Sequence, residues 1–220
     1  MDWDWQKGEP RVQSLAPARR TRADALSRHA PVNMWSLTTG TPLLLDSGLE
    51  YELARELDRD RDVTWIVAQP VLLTFADGSR HVPDLLSAHA DGGVTIWDAR
   101  PDERRDEKFL RTVELTRQVC SAVGWRYELY AGAETARRMN VLWLGTFRHR
   151  PDWPHHTARA RLLARAESPV SVSELMALDD GDGHLIATMW HLMWTGDLVI
   201  DLDSRIRPDS LVHRLAVPRD

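Results

Sequence analysis

The sequence predicts an α/β protein, a mixed sheet flanked by helices, followed by a smaller and mainly helical domain. Three observations carry that prediction. Four strand-like segments lie between residues 63 and 99, separated by turn signals, and a fifth lies at 125–130. Two segments with helical spacing of apolar residues, one before this run and one within it, supply covering layers. Past Pro151, Trp153 and Pro154 the strand signals give way to three helical segments and a short hairpin.

Taken in order, residues 1–35 show no sustained period. Arg11, Arg19, Arg20, Arg22 and Arg28 face only Asp24 across that basic stretch. It reads as an arm that is either solvated or laid on phosphates. Asp46 and Ser47 are capping types, and Leu49, Leu53, Ala54 and Leu57 recur at helical spacing, so a helix is expected up to about Arg59. Strands are expected at 63–67, 71–75, 80–86 and 94–99. Gln69-Pro70 separates the first two, Asp77-Gly78 turns the second into the third, and Asp91-Gly92-Gly93 turns the third into the fourth. A helix over 106–123 places Phe109, Val113, Thr116 and Cys120 on one face. A strand at 125–130 and a short helix at 134–140 follow. Val141 to Leu144 then lead into the basic patch Arg148-His149-Arg150.

The first domain is therefore expected over 36–150 and the second over 153–220. In the second, one helix spans 157–166. Ser171 and Glu174 stand at capping-box spacing for the next. Asp182 is expected to cap the third, which carries Leu185, Met189, Leu192 and Met193. Strands at 198–202 and 205–207 close a hairpin around Asp203-Ser204. Three helices and a hairpin form the winged helix-turn-helix order.

Composition narrows the function. A 220-residue chain with 43% hydrophobic and 28% charged residues is an ordinary globular composition. The lone Cys120 excludes an internal disulfide framework and fits a reducing, cytoplasmic setting. The acidic start has no apolar stretch of the secretory kind, and no apolar run is long enough to span a bilayer. A net charge of −5 excludes coating by nucleic acid through bulk charge, yet leaves room for a local DNA site in which a metal supplies positive charge. The ten Trp read as core or interface anchors. No Walker-type phosphate loop occurs, so the chain itself is not expected to hydrolyse ATP.

Three carboxylates fall at meaningful places. Glu50 lies on the first helix, Asp84 follows Pro83 in the third strand, and Asp98 lies in the fourth. The two-residue period of a strand puts Asp98 and Arg100 on one face, and a short turn brings Asp84 beside Asp98. Hard oxygen ligands of this kind suit Mg²⁺ or Mn²⁺, and phosphodiester hydrolysis needs a cation to activate water and neutralise phosphate. By spacing alone, a strand cap at Asp84 and an Asp98–Arg100 pair explain the same residues.

An ordered set of segments adds a second argument. Leu49-Glu50, Gln69-Pro70, His81-Val82-Pro83-Asp84, Asp98-Ala99-Arg100-Pro101, Gly124 to Glu128 and Asn140 to Leu144 stand in sequence and spacing as in TnsA-like endonucleases. Across about residues 35–150 the chain resembles that family, the endonuclease subunit of heteromeric bacterial transposases, and its actinobacterial group most. The resemblance implies a restriction-endonuclease-like fold of the PD-(D/E)xK type, with Glu50, Asp84 and Asp98 as metal-site residues. It also implies a following winged helix. The implied activity is Mg²⁺-dependent nicking of DNA at transposon ends, beside an integrase-like transposase and an AAA+ ATPase regulator. Where the family pattern has Lys, this chain has Arg100, which stays protonated and serves as a phosphate contact rather than a base. Lys108 is expected a turn into the next helix, away from the site.

Other residues leave alternatives open. His81 is a structural or phosphate-contacting residue, or a metal ligand. Gln69 either holds substrate backbone or ends a strand. Arg19, Arg20, Arg148 and Arg150 are candidate DNA contacts. His155-His156 reads as a solvated pair and Cys120 as core. Between Gly183 and Thr195 the third helix of the second domain has no Arg, Lys, Asn or Gln, and residues 153–220 carry seven Arg against ten acidic residues, a formal charge of −3. Docking of a protein partner is favoured there over base reading. The alternative to an enzyme is an assembly subunit that keeps the nuclease fold without its activity; a transcription regulator ranks third.

Overall fold

The computed structural model describes residues 8–18, 31–153 and 155–216. Arg19, Arg20, Arg22 and Arg28 lie outside the described residues. The chain divides into two compact units between Gly132 and Ala133.

Regular structure in the first unit begins before the helix expected at Asp46-Ser47. β1 (Val32–Trp35) and β2 (Pro42–Leu45) form an antiparallel hairpin, with Val32 opposite Leu45. Met34, Leu43 and Leu45 point inward, but Trp35 and Leu44 are exposed, so apolar residues stand on both faces and the alternation that betrays a strand is lost. The expected arm over 1–35 therefore gives up residues 32–35 to a strand.

α1 (Gly48–Arg59) follows, capped by Ser47, whose hydroxyl accepts from the Glu50 amide. β3 (Val63–Ala68) runs to Gln69. The strand expected at 71–75 shrinks to β4 (Leu73–Thr74), paired with β5 (Arg80–His81) around the Asp77-Gly78 turn. The strand expected at 80–86 is broken: Pro83 has no N–H for a ladder, and pairing resumes only at β6 (Leu85–His89). β7 (Val94–Ala99), α2 (Glu107–Ala122) and β8 (Arg126–Tyr130) fall where expected.

The main sheet has the order β3-β6-β7-β8, antiparallel except for the parallel β7–β8 pair, which α2 connects. Alternate residues feed two cores. Leu85 and Ile66 pack with Leu53, Ala54 and Leu57 of α1 and with Met34, Leu43 and Leu45 of the hairpin. Leu86, Ile96 and Tyr127 pack with Phe109, Val113 and Cys120 of α2.

The second unit starts earlier than the boundary expected at 151–154. α3 spans Thr135–Leu144, absorbing Val141 to Leu144 into the helix. Val141 and Leu144 are buried in the same core as Leu162, Leu175, Met189, Leu198 and Val212, which is why the division falls ahead of α3. Asn140 adds hydrogen bonds from Nδ2 to the carbonyls of Leu202 and Ser204, at 2.9 and 2.8 Å.

α4 (His156–Arg165), β9 (Val170–Ser171), α5 (Val172–Met176), α6 (His184–Trp194), β10 (Leu198–Ile200) and β11 (Leu211–Arg214) complete the unit. The three strands pair in the order β10-β11-β9. The Ser171–Glu174 capping box forms as its spacing predicts. The cap of α6 does not follow expectation: Asp182 contacts the amide and ring of His184, whereas the Asp179 carboxylate receives the amides of Gly181, Gly183, Leu185 and Ile186. The strand expected at 205–207 also moves, to β11. Pro208 interrupts a ladder there, and Arg207 and Ser210 instead close a turn on each other. No helix among the described residues is long and apolar enough to cross a membrane.

Candidate functional site

In the first unit Glu50, His81, Asp84, Asp98 and Arg100 line one cleft of about 720 Å³, together with Arg80, Arg104, Asp106, Lys108 and Phe109. Its residues come from the N-terminus of α1, the β5–β6 break, the end of β7 and the first turns of α2. The register explains the meeting. Leu85 and Trp97 form the last pair of the antiparallel ladder, and Asp84 and Asp98 are the residues that flank that pair on the two segments. The Asp84 amide donates to the Trp97 carbonyl at 3.0 Å, and its Oδ2 accepts from the Ala99 amide at 2.8 Å. The break at Pro83 thus leaves a carboxylate folded over the end of β7.

Asp98 is buried, and its Oδ2 receives two contacts: His81 Nε2 at 2.7 Å and the Tyr127 hydroxyl at 2.5 Å. Two partners on one oxygen hold the Asp98 carboxyl group in place. Burial first, and then the Asp98 charge, push the Tyr127 phenol above its ordinary value. The same two causes raise the Cys120 thiol to about 12, which leaves it an inert core residue as expected. His81 faces its Nε2 to Asp98, at the wall of the cleft. Tyr127 was not singled out in the sequence. Tyr127 stands beside Ile96 in the parallel ladder, two residues before the partner of Asp98, a neighbourhood set by how β8 docks and not by local spacing.

Glu50 is 5% exposed and serves its own helix. Its carboxylate accepts from the Asp46 amide at 2.8 Å and from the Ser47 hydroxyl at 2.9 Å. Ser47 and Glu50 stand at capping-box spacing, a signal for this local role that the sequence carried. Gln69 is buried and is the single non-glycine residue with positive φ, 50°, among the described residues. Its Nε2 donates to Asp46 Oδ2 at 2.9 Å and its amide to the Asp84 carbonyl at 2.8 Å. Gln69 therefore ties the entry of α1 to the Asp84 segment and does not line the cleft. Strain of this kind is tolerated where surrounding contacts fix it.

Arg100 lies in the cleft but departs from the position expected beside the carboxylates. Its Nε donates to the Arg104 carbonyl at 2.7 Å, and its guanidinium lies 4.4 Å from the centre of the Phe109 ring. The short 3-10 turn at Asp102–Arg104 brings that carbonyl within reach. Lys108 departs in the opposite sense. The same turn makes α2 start at Glu107, so Lys108 sits in its first turn, exposed, on the cleft wall.

The donor chemistry suits a hard divalent cation: three carboxylates and no sulfur. Among the described residues, however, no three His, Cys, Asp or Glu are gathered closely enough to hold an ion. Mg²⁺ is commonly held by one or two carboxylates with water and substrate phosphate, so Asp84 and Asp98 are the fitting pair, and Glu50 is the outlying member. In the second unit His155 is buried, and its ring stacks on His156, in place of the solvated pair expected. Arg148 is half-buried and Arg150 is exposed. No model of a known protein family matches the chain, and no curated protein matches it.

Proposed function

We propose that this chain is a Mg²⁺-dependent DNA endonuclease subunit of the TnsA type, which nicks DNA at transposon ends. The observation that carries the reading is the convergence of Asp84 and Asp98, which flank the Leu85–Trp97 pair, with Glu50 and His81, on the wall of a single cleft. The first unit reads as a restriction-endonuclease-like fold, a mixed sheet between two helices with its carboxylates at a strand break. Asp84 and Asp98 would hold the cation, whose chemistry is to lower the pKa of water and neutralise phosphate charge. His81 and Tyr127 fix Asp98, and the Ala99 amide fixes Asp84, so neither carboxylate must be reoriented when DNA arrives.

The second unit reads as a winged helix, supported by the order α4, β9, α5, α6, β10, β11 and its three-stranded sheet. Its third helix is poorly equipped to read bases. Thr188 is buried and bonds the His184 carbonyl, and His191 Nδ1 bonds the Phe147 carbonyl at 2.8 Å. Burial lowers the His191 pKa, which further removes it as a cation. Docking of a protein partner therefore suits the unit better than sequence recognition. The partners this reading calls for are an integrase-like transposase and an AAA+ ATPase regulator.

The second reading, an assembly subunit without activity, is favoured by Arg100, whose guanidinium is held by Phe109 and the Arg104 carbonyl. The test is nicking of transposon-end DNA by the full chain with its partners, in Mg²⁺ or Mn²⁺ and in EDTA. Metal-dependent nicks that Asp84→Ala abolishes support the enzyme; partner-dependent assembly without nicks supports the second reading.

A further inference from the structure

We infer that Lys108, not Arg100, is the cation that meets the phosphate under attack in this cleft; the inference rests on the nuclease reading above. Three independent observations point to it. Lys108 stands exposed on the wall of the cleft that Asp84 and Asp98 line. Arg100, two residues after Asp98, is occupied by the Arg104 carbonyl at 2.7 Å and by the Phe109 ring. Lys7 and Lys108 are the only lysines among 28 basic residues; every other cation of the chain is Arg, including Arg80 and Arg104 on the rim of the same cleft.

The position is also an unfavourable one for a cation. Lys108 lies in the first turn of α2, two residues after its N-cap Asp106, where the helix dipole presents positive charge and opposes an ammonium group. Helix stability gives no reason for a lysine there. A phosphate in the cleft does, because a dianionic transition state meets both the ammonium and the helix terminus. Lys108 differs from the rim arginines in chemistry as well. Its compact ammonium is a point donor on a flexible stem, able to follow the phosphoryl oxygens as they move towards the equatorial plane, whereas a planar guanidinium favours a fixed bidentate contact.

The step is hydrolysis. The oxygen of a water molecule forms a bond to phosphorus, one ester P–O bond breaks with its electron pair on the sugar oxygen, and that oxygen takes a proton from solvent. The attacking water gives up a proton to solvent. Lys108 stays protonated throughout and hydrogen-bonds a non-bridging oxygen. Arg80 and Arg104 hold flanking phosphates.

The experiment measures single-turnover nicking and duplex binding by the full chain with its partners, for the parent, Lys108→Ala, Lys108→Arg, Arg100→Ala, Arg80→Ala and Arg104→Ala. Binding is read in Ca²⁺, so that affinity is separated from chemistry. Lys108→Ala is expected to slow single-turnover nicking about 100- to 1000-fold, the scale of one lost transition-state contact, with duplex affinity changed less than about 10-fold. Lys108→Arg recovers part of the rate. Arg80→Ala and Arg104→Ala weaken binding and its salt dependence more than the rate. The melting temperature of Lys108→Ala is unchanged or higher, since a charge opposed to the helix dipole has been removed. A parent-like rate for Lys108→Ala, or a larger loss for Arg100→Ala, overturns the inference while the nuclease reading stands. A parent chain that does not nick under any of these conditions overturns both.

Discussion

The two units handle polar groups in different ways. The first buries Glu50, Arg55, Asp58 and Asp98 and holds Gln69 at a positive φ, whereas among the described residues of the second the buried polar ones are Asn140, Thr188 and His155. The second unit is otherwise closed by an apolar core that runs from Val141 to Val212. Burying a carboxylate is costly unless fixed donors replace its water, and the first unit supplies them at Asp58 and Asp98 alike. The two cases then diverge. Asp58 is fully used by the hairpin: Ser36 Oγ donates at 2.7 Å, and the Leu37 and Thr38 amides donate at 3.2 and 3.0 Å. Asp98 is held by side chains and faces a cleft. A buried carboxyl group is thus a structural clamp in one place and a candidate chemical group in the other, and the cleft is what separates them.

Substitutions can break that comparison at four points. The largest effect belongs to the cleft: Asp84→Ala should lower metal-dependent nicking on the order of 1000-fold while leaving the far-ultraviolet dichroism unchanged. Retained nicking would remove Asp84 from the chemistry. Next comes the apolar core of the second unit. Met189 is fully buried, and Met189→Ala should cost about 2–5 kcal/mol of unfolding free energy in denaturant titration. A loss below 1 kcal/mol would mean that this core is loosely packed.

Asp58→Ala should cost about 1–3 kcal/mol, because the Ser36 hydroxyl and two amides lose their acceptor. Nicking should survive, since Asp58 does not line the cleft; loss of nicking with an intact fold would erase the distinction between clamp and site. The smallest effect at neutral pH is alkaline. Cys120 is raised from 9.0 to about 12, and Tyr127 is raised as well, chiefly by burial. A group with a raised folded pKa stabilises fully below its unfolded value and loses that contribution as pH climbs towards the folded one. Stability should therefore hold up to pH 9 and fall between pH 9 and 12, and Cys120→Ala should flatten part of that fall. A parent denaturation midpoint that does not change between pH 8 and 11 would contradict the burial of both groups.

The sequence by itself determined the elements whose periodicity is strong. α2 shows its buried face, Phe109, Val113, Thr116 and Cys120, at helical spacing, and β7 is bounded by the Asp91-Gly92-Gly93 turn and by Pro101, so both could be read to within about a residue of their bounds. The Ser171–Glu174 cap was equally legible, because its donors and acceptors lie within one turn. The neighbourhood of Asp84 and Asp98 followed from the order of strands across the short Asp91-Gly92-Gly93 turn, which is local information. The tertiary structure decided what depends on contacts between distant segments. The β1–β2 hairpin hides behind apolar residues on both faces and becomes visible only when α1 covers one of them. α3 joins the second unit because Val141 and Leu144 find their partners around Met189 and Leu198. The place of Arg100 on Phe109, of Lys108 on the cleft wall and of Tyr127 on Asp98 follows from how α2 starts and where β8 docks. Local spacing fixes which face a residue takes; which neighbour it meets there is set by packing, and packing is a property of the whole fold.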